Sequence, residues 1–213
     1  IILVYVVFLL VEQSGFSAKV DAVVGDDEAR RARVKHIIDR INADIRMYLW
    51  VKTLLSIGTG GISYLVMIAV GVEYAEFWAV LIFLLNYIPT FGSILGIVFP
   101  LLQTLVQFDE PLTPFIIVAV SLGATQLITG NVVEPKMMGK SLSLSPLVIL
   151  VSLAVWGSIW GVIGMFLSVP ITVIAMIVFA QFRVTRPIAI ILSSDGDVSH
   201  LESEDSGPTA APV

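Results

Sequence analysis

Two sets of polar residues stand inside long apolar stretches and could do chemistry there. The first is Asn86-Tyr-Ile-Pro89-Thr-Phe-Gly92, which interrupts the apolar run 75–108. Proline removes a helix hydrogen bond and disfavours helix at the residue before it, so the run must break here. The freed carbonyls and amides, with the Asn86 amide, can coordinate a polar solute or a cation; alternatively, Asn86 only caps the broken helix ends. The second set is Thr125, Gln126, Thr129, Gly130, Asn131 and Glu134, strung along the next apolar run, 112–133. Gln126 shares one face with Thr129 and Gly130 by three- and four-residue spacing. Such a stripe is unfavourable in hydrocarbon unless it meets partners or water. It serves either helix–helix hydrogen bonds or a solute. Glu134 is the acid nearest the inner side. It either carries a coupling proton or pairs with Lys136 or Lys140.

The composition says what surrounds these residues. Of 213 residues, 57% are hydrophobic and 14% charged, against about 25% charged in soluble domains. The mean hydropathy is +0.95. So few charges cannot cover a soluble fold of this size, and the natural solvent is a bilayer. There is no cysteine, hence no disulfide, thiol nucleophile or cysteine metal site. His36 and His200 both lie in polar segments. No Ser, His and Asp set falls within the apolar segments, and no two carboxylates are placed for acid/base work, so catalysis is not expected. No metal or cofactor site is expected either. The basic block is matched by acids and lacks interleaved aromatics, which argues against nucleic acid.

Eight of the 12 Lys and Arg lie between Lys19 and Lys52. From Thr53 to Val133, 81 residues carry four charges, all acidic: Glu73, Glu76, Asp109 and Glu110. Ser141 to Phe182 carries none. Residues 1–16 read as the end of a truncated transmembrane helix, because the uniformly apolar part, Ile1 to Val11, is too short to span a core that needs about 20 helical residues. Residues 17–52 form a cytoplasmic amphipathic helical region: Val34, Ile37, Ile38, Ile41, Ile45, Tyr48 and Leu49 recur at helical steps. That apolar face packs on its own neighbours, on another copy, or on anionic lipid. Residues 53–182 form a transmembrane transport domain, and 183–213 an acidic, disordered tail.

Basic loops stay in the cytoplasm. The segment 19–52, the Lys136/Lys140 loop and the Arg183/Arg186 end are therefore all inside, and the C-terminus is cytoplasmic. The span 53–72 then exits and 112–133 returns. Each apolar stretch between them must start and finish on one side. Residues 75–108 thus form a hairpin bent at Pro89–Gly92, and 146–180 a hairpin bent near Gly157–Gly161. The arms of the first are short for a full span and suit a re-entrant hairpin. Phe91-Gly-Ser-Ile-Leu-Gly-Ile-Val98 also aligns with Trp156-Gly-Ser-Ile-Trp-Gly-Val-Ile163. Gly92 and Gly96 pair with Gly157 and Gly161, and Gly164 and Pro170 follow. The fold expected is therefore all-α and polytopic, with two opposed helical hairpins in an inverted repeat. Interrupted segments at matching places in two halves point to a transporter binding site.

Several motifs in one order carry a family resemblance: Lys52-Thr-Leu-Leu-Ser with Gly60; Leu85-Asn-Tyr-Ile-Pro-Thr-Phe-Gly92; Gly130-Asn-Val-Val-Glu-Pro-Lys-Met-Met-Gly-Lys-Ser-Leu142; Leu144-Ser-Pro-Leu-Val148; and Gly161-Val-Ile-Gly-Met-Phe-Leu-Ser-Val-Pro170. Over about 40–182 the chain resembles the AI-2E family of bacterial transporters. The resemblance implies a multi-pass inner-membrane protein that exports the quorum-sensing signal autoinducer-2, and a homo-oligomer, with a pentamer as the expected number. Some relatives are assigned sodium or lithium/proton antiport instead. Many relatives have His where this chain has Ser145. If that His carries a proton, this member lacks the step. The partners expected are thus a small polar solute or a monovalent cation, and the lipid bilayer. The site expected comprises Asn86, Pro89, Gly92, Gln126, Thr129 and Asn131 for the solute and Glu134 for ion coupling. The rival from another class is a membrane scaffold that recruits partners through 17–50.

Overall fold

The structure, a computed structural model, describes residues 27–138, 144–198 and 201. The expected truncated span 1–16, the first part of the 17–52 region, Lys140 and the last residues of the tail lie outside the described residues. The chain divides into two compact units, and of the first only 27–42 are described. There, Asp27 accepts the Arg30 and Arg31 backbone amides at 3.3 and 3.0 Å, which opens a helix. All that follows concerns the second unit, 43–202.

Helix α1 (Glu28–Val70) runs unbroken through Lys52–Thr53, where the polar region is expected to give way to the first span. Then come α2 (Ala75–Leu85), α3 (Phe91–Gln107), α4 (Leu112–Ile128), a π-helical turn (Thr129–Val133), α5 (Glu134–Met138), α6 (Pro146–Trp160), α7 (Val162–Ala180) and α8 (Arg186–Leu192). Among the described residues the one β feature is an isolated antiparallel bridge between Leu144 and Ser193. The fold is all-α.

Among the described residues, three helices are long and apolar enough to cross a membrane: 30–70, 112–138 and 162–180. The shorter apolar helices have 11, 17 and 15 residues. At 1.5 Å per residue α2 reaches only about 17 Å, well short of a hydrocarbon core of about 30 Å. Trp50, Leu65, Phe77, Val106, Val120, Leu147 and Val162 are all exposed. A soluble surface seldom carries so much apolar area, whereas a bilayer accepts it.

The inward face of α1 is drawn by burial at helical steps. Tyr48, Lys52, Ser56, Thr59, Ser63 and Met67 are each under 5% exposed. At its far end Met67 and Val72 join Ala75, Ile82, Val118 and Leu122 in one apolar core. Gln107 ties the base of the α2–α3 hairpin to α1 by donating to the Gly71 carbonyl at 2.7 Å and accepting the Glu73 amide at 2.8 Å.

Both interrupted runs fold back as packed helix pairs, α2 on α3 and α6 on α7. A Cβ on Gly92 would overlap the Leu85 carbonyl, and one on Gly164 the Trp156 carbonyl. Each hairpin therefore closes on a glycine in the first turn of its second arm. This differs from the alignment of Gly92 with Gly157. The octapeptide 91–98 lies in the second arm of its hairpin, whereas most of 156–163 ends the first arm of the other. The turns themselves are 86–90 and Gly161. Of the six expected bend residues Gly161 sits at a turn, with φ +62° and ψ −140°. Gly92, Gly96, Gly157, Gly164 and Pro170 lie inside helices. The signals coincide because membrane helices reuse Gly and Ser wherever backbones approach.

The tail also differs from expectation. Residues 186–192 are helical, Ser145 donates its amide to the Leu192 carbonyl at 2.9 Å, and Gln181 donates to the Leu201 carbonyl at 2.6 Å. Ala189, Val198 and Leu201 are buried. Three well-spaced apolar anchors outweigh the polar composition around them. Asp195 accepts from the Ser193 hydroxyl and the Asp197 amide, which holds its carboxyl below the usual range.

Candidate functional site

A cavity of about 580 Å³ opens where the turn of the first hairpin faces α4 and the π-helical turn. Its lining includes Asn86, Pro89, Thr90, Ser93, Gln126, Asn131 and Glu134, with Lys52 on one wall and Pro146, Ile149 and Leu150 on another. Five expected residues, Asn86, Pro89, Gln126, Asn131 and Glu134, thus share one space. Gly92 and Thr129 do not line it. Gly92 is spent on the close approach to Leu85, and Thr129 faces α1, where its hydroxyl accepts from Thr59 at 3.5 Å.

The polar groups differ in what they have left to offer. Asn86 is 5% exposed, and its Nδ2 donates to Ser56 Oγ at 3.0 Å. Its backbone amide also donates to the Ile82 carbonyl at 2.9 Å, so it closes α2 as a cap. Asn131 is exposed and donates back to the Leu127 carbonyl at 3.0 Å. Gln126 is different. It is 8% exposed, and its side chain makes no hydrogen bond to any described residue. Its Nε2 passes close to Gly96, where a Cβ would sit 3.8 Å away. Gly96 therefore sits against Gln126 inside α3 rather than bending a hairpin. Gln126 lines the cavity, so its amide can be satisfied there by water or a ligand.

Glu134 pairs with Lys52 and not with Lys136, while Lys140 lies outside the described residues. Lys52 Nζ donates to Glu134 Oε1 at 2.6 Å, with side chains 5% and 24% exposed. The pairing joins residues 82 apart in sequence and could not be read from spacing. Lys52 is a cavity residue that the sequence reading left out of the site, placing it among the cytoplasmic charges and in the first family motif. The signal was there in the spacing of Tyr48, Lys52, Ser56, Thr59 and Ser63, which makes one polar stripe.

Two backbone features frame the cavity. Thr90 has φ +62° and ψ −59°, a conformation a β-branched residue adopts only under constraint. The π-helical turn delivers Gly130 and Asn131 to the cavity just before Glu134. Such turns recur at functional sites because the extra residue re-aims side chains without breaking the helix.

The profile of the AI-2E family transporters matches residues 1–184. The chain belongs to the AI-2E transporter family. AI-2 transport protein TqsA of Escherichia coli K12 is 36% identical over 193 residues, which cover 91% of this chain and 54% of that protein. A Borreliella burgdorferi protein named as a candidate transport protein is 33% identical over 201 residues, covering 93% and 55%. The E. coli K12 candidate transport protein YhhT is 39% identical over 154 residues, covering 72% and 44%. The chain thus spans about half the length of the curated AI-2E relatives it matches. Family and relatives name transport, not catalysis.

Proposed function

We propose that the protein is a secondary transporter that moves autoinducer-2 or a similar small polar solute out across the bacterial inner membrane, coupled to an ion gradient, in the setting of quorum sensing. One observation carries the reading: a nearly buried, internally unpartnered Gln126 amide faces a cavity between a broken helix pair and a π-helical turn. A polyhydroxylated solute is recognised by neutral donors and acceptors, which the Gln126 amide, the Asn86 carbonyl and Asn131 supply. The similarity to a protein named for AI-2 transport supports the same solute.

Alternating access would come from the two hairpins in an inverted repeat. Tyr87 stacks on Phe166 at 4.8 Å, five residues past the Gly161 turn. Pro89 and Thr90 instead share the cavity with Pro146–Leu150, at the base of the same hairpin. The turn 86–90 thus meets the second hairpin both near its turn and at its base. Residues 53–182 would be the transport domain. The C-terminus would be cytoplasmic, the amphipathic face of 17–52 would serve as a docking or lipid surface, and the protein would work as a homo-oligomer, with a pentamer as the expected number.

The second reading, sodium or lithium/proton antiport, is favoured by one observation: a carboxylate, Glu134, lines the cavity. Autoinducer-2 flux into proteoliposomes of the full-length protein separates the two. Loss of flux in Gln126→Leu at normal membrane levels supports the solute site, and unchanged flux rejects it.

A further inference from the structure

Among the described residues that line the cavity, Lys52 and Glu134 are the only charged ones. Lys52 is 4% exposed. Its ammonium touches Glu134 Oε1 at 2.6 Å, where a cation bound to this carboxylate would sit. A charge so far removed from water persists only when paired. Oxygen donors suited to an alkali cation stand nearby. Asn86 and Gln126, each with an amide oxygen, line the same cavity. Tyr48 lies one turn before Lys52 on the same face of α1, is 3% exposed, and its hydroxyl has no hydrogen-bond partner among the described residues. A carboxylate with neutral oxygens around it is the donor set that hard cations take.

We propose that Lys52 is a tethered counter-ion, which fills the cation position at Glu134 and keeps sodium and lithium out of the cavity. The cavity then presents a neutralised wall to its solute. Lys52 is on this account a specificity-determining residue: it decides between an uncharged solute and an alkali cation. The inference rests on the cavity being the transport site, and it weighs against the antiport reading. Removing the ammonium leaves a carboxylate without its partner in a poorly hydrated site, and an external cation should then replace it.

The test uses purified full-length protein, titrated with sodium chloride against N-methylglucamine chloride at constant ionic strength. Wild-type protein should show no sodium-dependent change in unfolding temperature. Lys52→Gln should gain roughly 3–6 °C at a sodium concentration about ten times its dissociation constant. The gain should vanish in Lys52→Gln/Glu134→Gln. Sodium stabilisation of the wild type that Glu134→Gln removes would overturn the proposal, as would a folded Lys52→Gln with no gain. Radioactive sodium binding to the wild type needs no variant to fold. Saturable binding overturns the proposal, and its absence supports it. Failure of the solute reading has another signature, namely flux indifferent to Gln126→Leu, whatever the sodium result.

Discussion

Lys52 Nζ lies 2.6 Å from Glu134 Oε1, so the first long helix is joined to the residue that follows the π-helical turn. Opposite charges joined in a largely dry setting act as one unit. Removing either partner strands the other, whereas replacing both with apolar groups of similar size need not be costly. Lys52→Met or Glu134→Leu alone should lower stability by about 3 kcal/mol, the low end for a buried pair because Glu134 keeps 24% of its side-chain surface exposed. The double replacement should recover most of that loss. Thermal unfolding of the four proteins closes the cycle, and simple additivity would contradict the pairing.

The glycines divide into two sets with opposite expected outcomes. Gly92→Ala and Gly164→Ala place a Cβ on a neighbouring carbonyl and should cost about 3 kcal/mol or more, read as lost folded protein. Gly58 and Gly61 have nothing within 4 Å of the added carbon. Alanine there should stabilise α1 by up to about 1 kcal/mol through helix propensity. Melting temperatures of the four variants check both halves of the argument.

Thr90 should be replaceable with a gain. Its positive φ is strained for a β-branched residue, so Thr90→Gly should raise stability by about 1 kcal/mol. Denaturation midpoints measure this, and a loss would show that the Thr90 side chain contributes more than its backbone costs.

Asn86 and Ser56 form a buried pair, with Nδ2 to Oγ at 3.0 Å. Ser56→Ala leaves the amide without its acceptor and should cost about 1–3 kcal/mol. Asn86→Leu should do at least as much, and should also reduce export because it removes an oxygen from the cavity. Comparing export with membrane level for the two variants separates the effects: Ser56→Ala should keep export per folded molecule closer to wild type.

Much of this arrangement was legible in the sequence because the bilayer makes apolar runs and their interruptions conspicuous. The Asn86–Pro89 break and the short arms of the first hairpin followed from composition and proline chemistry, and helical spacing put Gln126 with Gly130, which share the cavity. What escaped were relationships set by tertiary packing. Lys52 looked like one more cytoplasmic charge, since nothing local reveals a partner 82 residues away. The π-helical turn at Thr129–Val133 has no composition of its own. The glycine repeat matched by letters misaligned the two hairpins, because Gly92 and Gly164, not Gly92 and Gly157, make equivalent close approaches. The tail was judged on average polarity, which hid Ala189, Val198 and Leu201.

The central claim is that this cavity carries a solute, and the most direct measurement is autoinducer-2 flux through the full-length protein in proteoliposomes, with and without an imposed pH gradient, for wild type and Gln126→Leu. The account expects gradient-dependent flux in the wild type and at least a tenfold loss in the variant, equivalent to about 1.4 kcal/mol of lost interaction. Absence of flux from folded, oriented wild-type protein, or equal flux in both, would contradict it.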